Sequence, residues 1–200
     1  MITIIDYGAG NLASIVNGLK KVGAQVEITS EPKKLKNADA IVLPGVGSFG
    51  DAMEKITAFK PAIVEATESG KPFLGVCLGV QLLMDSSDES PGVEGLKIFS
   101  GDCKRFTGKL KIPHMGWNNL EIVNDTPLLQ GITDEDYFYF VHSYYVVPNN
   151  KSIVAANTKY GTDFPSVISE KNIFATQFHP EKSADKGLKI LKNFVELSRK

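Results

Sequence analysis

Short apolar runs alternate with amphipathic stretches through the first half of the chain, and their periods define the predicted elements. Positions 2–5 form a compact apolar run that reads as a buried strand. Leu12, Ile15, Val16 and Leu19 then fall at i, i+3, i+4 and i+7, one face of a helix that Gly23 can end. Positions 26–29 and 40–43 read as the next strands. A second helical region over 51–69, interrupted by Pro61, precedes Gly70 and a further strand over 73–76. Strands that alternate with helices in this order imply right-handed parallel crossovers, and so an α/β fold with a doubly wound, mostly parallel central sheet flanked by helices. Ligands of such sheets bind at the carboxyl ends of the strands.

The second half changes character. Strand-like segments near 119–123, 137–141, 152–156 and 166–169, and again over 173–176, are separated by turn-rich stretches. They predict a mixed or antiparallel extension of the same sheet. Leu188, Leu191, Phe194 or Val195, and Leu197 mark a closing amphipathic helix. No repeat or low-complexity tract is present. Residues 1–200 are expected to form one domain, because 200 residues are enough for one α/β core and too few for two ordinary domains.

Charge narrows the function classes. With 22 basic and 23 acidic side chains and no run of one sign, the chain lacks the electrostatic footprint of a nucleic-acid or membrane-surface binder. The N-terminus has neither the basic start nor the apolar core of a signal peptide, which predicts a cytoplasmic protein. Cys77 and Cys103 are too few for a disulfide framework or a four-cysteine zinc site, and neither a metal nor a cofactor is expected. Cys103 is expected to pack.

Candidate chemistry centres on Gly75-Val76-Cys77-Leu78-Gly79, between an apolar strand and a helical segment. A nucleophile on a sharp strand-to-helix turn needs small residues two positions to either side, and Gly75 and Gly79 supply them. The helix N-terminus behind Cys77 would favour thiolate over thiol. Far downstream, Phe178-His179-Pro180-Glu181 offers an imidazole with a carboxylate two positions on, the pair a catalytic thiol needs as base and orienting group. His114 and His142 have no such neighbour and read as structural. Cys77, His179 and Glu181 together suggest acyl transfer from an amide or ester through a thioester.

The elbow Gly75 to Gln81 together with His179-Pro180-Glu181 resembles the class I, triad, glutamine amidotransferases. Four more segments narrow the resemblance, over essentially the whole chain, to the glutaminase subunits of imidazole glycerol phosphate synthases: Asp6-Tyr7-Gly8-Ala9-Gly10-Asn11, Pro44-Gly45-Val46-Gly47-Ser48-Phe49, His114-Met115-Gly116-Trp117-Asn118, and Tyr139-Phe140-Val141-His142-Ser143-Tyr144. The resemblance implies a Cys77-His179-Glu181 triad that hydrolyses L-glutamine, with an oxyanion hole from the backbone of Leu78 and of Val46 or Gly47. The glycines around Val46 would permit a peptide flip that switches one donor on and off. Gln81, Glu89, Ser143 and Tyr144 would hold the amino-acid end of glutamine. Asn11, Met115, Trp117, Asn118, Tyr139 and Lys182 would face a separate cyclase subunit, HisF, as a heterodimer.

Competing readings remain open on the residues alone. A glutaminase subunit or paralogue serving another synthase would keep the triad, and a cysteine peptidase of similar fold would cleave peptides. Gly8-Ala9-Gly10-Asn11-Leu12-Ala13 after the first strand also fits a dinucleotide fingerprint, although that reading leaves Cys77, His179 and Glu181 unused. The plainer account of these glycines is a tight turn with Asn11 as helix N-cap.

Overall fold

A computed structural model describes residues 1–8 and 11–199. The elements run β1 (Ile2–Ile5), α1 (Leu12–Lys21), β2 (Val26–Thr29), β3 (Ala40–Gly45), α2 (Phe49–Ile56), α3 (Lys60–Glu68), β4 (Phe73–Cys77) and α4 (Leu78–Leu82). There follow β5 (Ser86–Ser87), β6 (Gly101–Arg105), β7 (His114–Asn119), β8 (Glu121–Ile122), β9 (Tyr137–His142), β10 (Tyr144–Pro148), β11 (Val154–Tyr160), β12 (Thr162–Glu170), β13 (Ile173–Thr176) and α5 (Ala184–Leu197).

Eight strands form the main sheet in the order β2-β1-β3-β4-β13-β12-β11-β8. The first five are parallel, and β12, β11 and β8 extend the sheet antiparallel. Side chains of the parallel strands alternate between two cores, as the strand period of two requires. Ile5, Ile41, Leu43 and Phe73 pack with the α2 and α3 residues Phe49, Met53, Ile56 and Ile63. Ile4, Val42, Leu74 and Val76 pack with Ile15 and Leu19 of α1 and with Ile190, Leu191 and Phe194 of α5. Both sheet faces are therefore covered, and each such fully buried side chain contributes about 1.5–3 kcal/mol.

Several elements differ from the sequence expectation. The helical region over 51–69 is two helices, broken at 57–59, and Pro61 does not interrupt but starts the second, where its missing N–H has no intrahelical partner to lose. The strand expected at 119–123 is split: β7 pairs with β9 in a separate two-stranded ribbon, while β8 joins the main sheet. A third sheet, β10-β6-β5, contains two strands that carry no clear hydrophobic alternation. The closing helix starts at Ala184 and buries Gly187, Ile190, Leu191, Asn193, Phe194 and Val195, so Leu188 and Leu197 lie at the margin of its face. Asn11 caps α1 by accepting from Ser14 N–H, whereas Ala9 and Gly10 of the fingerprint-like loop lie outside the described residues.

Candidate active site

Three adjacent parallel strands end at one place. β4 lies between β3 and β13, with Gly45 opposite Cys77 and Thr176 opposite Val76, so the segments leaving β3, β4 and β13 emerge side by side. Cys77 ends β4 and caps α4 with φ +55° and ψ −108°, a conformation an L residue adopts only when the surroundings enforce it. The enforcement is close packing. A Cβ on Gly79 would run into the Leu43 carbonyl oxygen, and one on Gly75 would come within 3.1 Å of the Gly79 backbone. One on Gly45 would meet Leu78 Cβ and the Tyr7 hydroxyl, each at 2.8 Å.

His179 follows β13, and the Pro180–Lys182 turn folds Glu181 back beneath it. Nδ1 of His179 lies 2.8 Å from Glu181 Oε1, and both side chains are almost fully buried. Strand β9 holds this turn: His179 N–H donates to Tyr139 O, Tyr139 N–H donates to Ser183 Oγ, and Ser183 Oγ donates to His179 O. Burial opposes charge on the His179 ring, but Cys77 and Glu181 outweigh it and push its pKa well above the ordinary histidine range. Among the described residues Nε2 makes no hydrogen bond of closed geometry, although Cys77 lies near enough to raise the pKa of the ring. A buried imidazolium beside a thiol nucleophile and a carboxylate is arranged for proton transfer to a leaving group.

A cavity of about 310 Å³ opens at this point, lined by Val46, Gly47, Cys77, Leu78, Gln81, Glu89, His142, Ser143, Tyr144, His179 and Lys182, among others. Cys77 and His179, the oxyanion candidates and the glutamine-binding candidates thus line one space, and Glu181 reaches it through its hydrogen bond to His179. Gln81 is not a solvent-facing helix residue: it is buried and donates through Nε2 to Tyr144 O at 3.0 Å and to Gln177 Oε1 at 3.3 Å. Glu89 Oε2 accepts from Phe49 N–H at 2.7 Å and so caps α2 while lining the cavity. A larger groove of about 600 Å³ between residues 32–36 and α3, lined by Pro32, Lys36, Pro61 and Lys71, contains no thiol or imidazole.

Residues named for a partner face divide. Met115 and Trp117 are exposed on the outer side of β7, 61% and 53% accessible, with Tyr139 packed edge-on to Trp117. Lys182 is exposed at the cavity rim, and Asn11 is exposed at the start of α1. Asn118 instead points toward His114 and the Lys159 carbonyl.

Sequence reasoning missed Gln177, which is fully buried and directs Nε2 toward Cys77 Sγ at 3.9 Å. It missed Ser183 and Tyr7 as well; the Tyr7 hydroxyl is buried behind Gly45 without a partner among the described residues, and burial followed by the charge of Cys77 pushes its pKa up. Gln177 and Ser183 lie close in sequence to the motif at 178–181, and Tyr7 stands within the segment 6–11, which was the available signal. Cys103 packs as expected: its thiol donates to Gln81 O, and burial raises its pKa.

Among the described residues no helix is long and apolar enough to cross a membrane. The sequence profile of the family Glutamine amidotransferase class-I matches residues 3–197. The chain is 54% identical over 199 residues to the imidazole glycerol phosphate synthase subunit HisH of Methanothermobacter thermautotrophicus, covering all of both chains. It is 53% identical to the protein of the same name from Caldanaerobacter subterraneus, covering 98% of each. Among solved structures, a glutamine amidotransferase matches at a TM-score of 0.77 with 18% identity over all of both chains. A chain of the PurLQS structure from Thermotoga maritima matches at 0.74 with 20% identity, covering 98% of this chain and 97% of that one. The strand-end thiol, the His-Glu pair and these full-length likenesses agree: the chain belongs to the class-I glutamine amidotransferases, and within them to the family of HisH subunits.

Proposed function

We propose that residues 1–200 form a single glutaminase domain, the glutaminase subunit of an imidazole glycerol phosphate synthase, which releases ammonia from L-glutamine and hands it to a cytoplasmic partner, the cyclase subunit HisF. The observation that carries the reading is the convergence of Cys77, the His179–Glu181 pair and the Gln81–Tyr144 wall on one cavity. Cys77 thiolate attacks the side-chain amide carbon of glutamine, and electron density moves to the carbonyl oxygen. Leu78 N–H at the start of α4 and the Val46 or Gly47 backbone are the donors for that oxyanion. Collapse expels ammonia with a proton from His179, leaving a thioester. His179 then takes a proton from water, hydroxide adds to the thioester carbon, and glutamate leaves as Cys77 is regenerated. Glu181 holds the ring through Nδ1 and stabilises its charge.

The exposed Met115 and Trp117, with Tyr139 of β9 packed against Trp117, support a docking role for the β7–β9 ribbon, to which Asn118 also belongs, and the exposed Asn11 and Lys182 are assigned to the same partner. Gly47 has φ +103°, so its loop has the conformational freedom for a flip that aims the second donor in the complex. The test is Cys77→Ala in the assembled enzyme. Glutamine-dependent synthesis is lost while synthesis from added ammonium salt persists, because nucleophile and acceptor chemistry sit on different chains. Loss of both activities in an intact complex overturns the division of labour.

A further inference from the structure

The buried pair His114 and His142 has no place in the chemistry above, yet it joins strand β7 to the glutamine pocket through a directed set of hydrogen bonds. His142 Nδ1 lies 2.8 Å from Tyr144 O. A carbonyl only accepts, so Nδ1 carries the proton, and in the neutral ring Nε2 is then the acceptor. The atom facing Nε2, at 3.0 Å, is His114 Nδ1, which must therefore be the donor. His114 Nε2 is left as an acceptor toward Asn118 Nδ2 at 3.4 Å. The orientation of Asn118 is set independently, since its Oδ1 accepts from Asn119 N–H and its Nδ2 donates to Lys159 O.

On the other side, Tyr144 O also accepts from Gln81 Nε2, whose second hydrogen goes to Gln177 Oε1, and Gln177 Nε2 is directed at Cys77 Sγ. The rings are fixed by packing as well. His114 is stacked between Tyr160 and Phe140, with centroids at 4.0 and 4.9 Å, and His142 is lodged against Phe106 and Phe164 at 5.3 and 5.1 Å. Opposite each other in the β7–β9 register, the two rings cannot move separately from their strands.

We propose that His114 and His142 are positioning residues that hold the Tyr144 carbonyl, and with it the Gln81 wall of the pocket, in register with strand β7. A shift of β7, whose outer side carries Met115 and Trp117, is then felt at the pocket through two rings rather than through the distant chain. Neutrality of both rings is part of the device: a proton added between them would set N–H against N–H. This inference rests on glutamine being the ligand of the cavity and the β7–β9 ribbon being the docking face.

The side-chain amide of asparagine reaches the place of Nδ1, and that of glutamine reaches the place of Nε2. His142→Asn therefore keeps the donor to Tyr144 O, whereas His142→Gln keeps the link to His114 and loses that donor. Measured as ammonia release, His142→Gln is expected to show a KM for glutamine about fivefold above that of His142→Asn, the effect of one neutral hydrogen bond. His114→Asn keeps the donor to His142 and cuts the Asn118 link. Its expected effect is to lower by about fivefold the rise in kcat that saturating cyclase subunit produces, the size of a modest coupling. In the unmodified chain, two-bond 1H–15N correlation of the imidazole rings reports the tautomers, and both are expected as neutral Nδ1–H. An Nε2–H tautomer at either ring, equal KM in the two His142 variants, or a full wild-type rise in His114→Asn overturns the proposal. Wild-type protein that releases no ammonia from glutamine overturns the functional reading instead.

Discussion

Lowering the pH from 7 to 5 is expected to destabilise the fold by about 2–4 kcal/mol, most of it through His114 and His142. Burial holds His142 down to about 3, with the Tyr144 carbonyl opposing that shift and the charges of His114 and His179 adding to it. Burial alone holds His114 down to about 4. In the unfolded chain both rings titrate near the usual value of about 6.5. Between these limits the unfolded state binds protons that the folded state refuses, so stability falls as pH falls. The slope approaches about 1.4 kcal/mol per pH unit for each ring, and from pH 6.5 to 5 each contributes at most about 2 kcal/mol. His179 opposes this loss in a small way: its pKa is raised, so its contribution is complete below about 6.5 and declines as pH rises from there toward its folded value, and acidification from pH 7 returns less than about 1 kcal/mol of it. Asp39, Glu94 and Asp136 have lowered values, and their contributions are lost only below the carboxylate range of about 4. Urea unfolding followed by circular dichroism at pH 7 and 5 measures the difference, and a constant m-value confirms that the same surface is exposed. Equal stability at the two pH values, or an undiminished slope in a His114→Asn/His142→Asn double variant, would refute the neutral-pair account.

Other outcomes follow from the site. His179→Ala is expected to reduce glutaminase turnover by about three orders of magnitude or more, and Glu181→Gln, whose amide oxygen can still accept from Nδ1, by about ten- to a hundredfold in steady-state assays. A larger loss in Glu181→Gln than in His179→Ala would reverse the assigned roles. Gly79→Ala sets a methyl against the Leu43 carbonyl oxygen and should cost about 3 kcal/mol or more in thermal or urea unfolding, with Gly75→Ala milder because its contact is 3.1 Å; similar stability of both variants to wild type would refute the packing argument.

Strands β1 to β4 and helix α1 were legible in the sequence because each is a short apolar or helix-period run bounded by turn-forming residues such as Gly23, Pro32, Gly45 and Gly70. Cys77 and the His179–Glu181 pair were legible for a similar reason. An elbow between glycines and a carboxylate two residues beyond a histidine are local arrangements that need no knowledge of what lies across the fold. Strand β6, Gly101–Arg105, was not, since it mixes polar and small residues and is defined by its pairing with β5 and, across a separation of some 40 positions, with β10. Pairing over that separation is decided by chain topology rather than by local propensity. Gln177, one position past the predicted strand over 173–176, carried no signal of its own, and only the placing of β13 beside β4 brings its amide toward Cys77. His114 and His142 each read as solitary histidines, 28 positions apart, and only the β7–β9 register sets ring against ring. A sequence motif specifies which groups can donate and accept; the direction of each hydrogen bond, and the protonation it enforces, arises only when tertiary packing brings distant partners together and excludes water from between them.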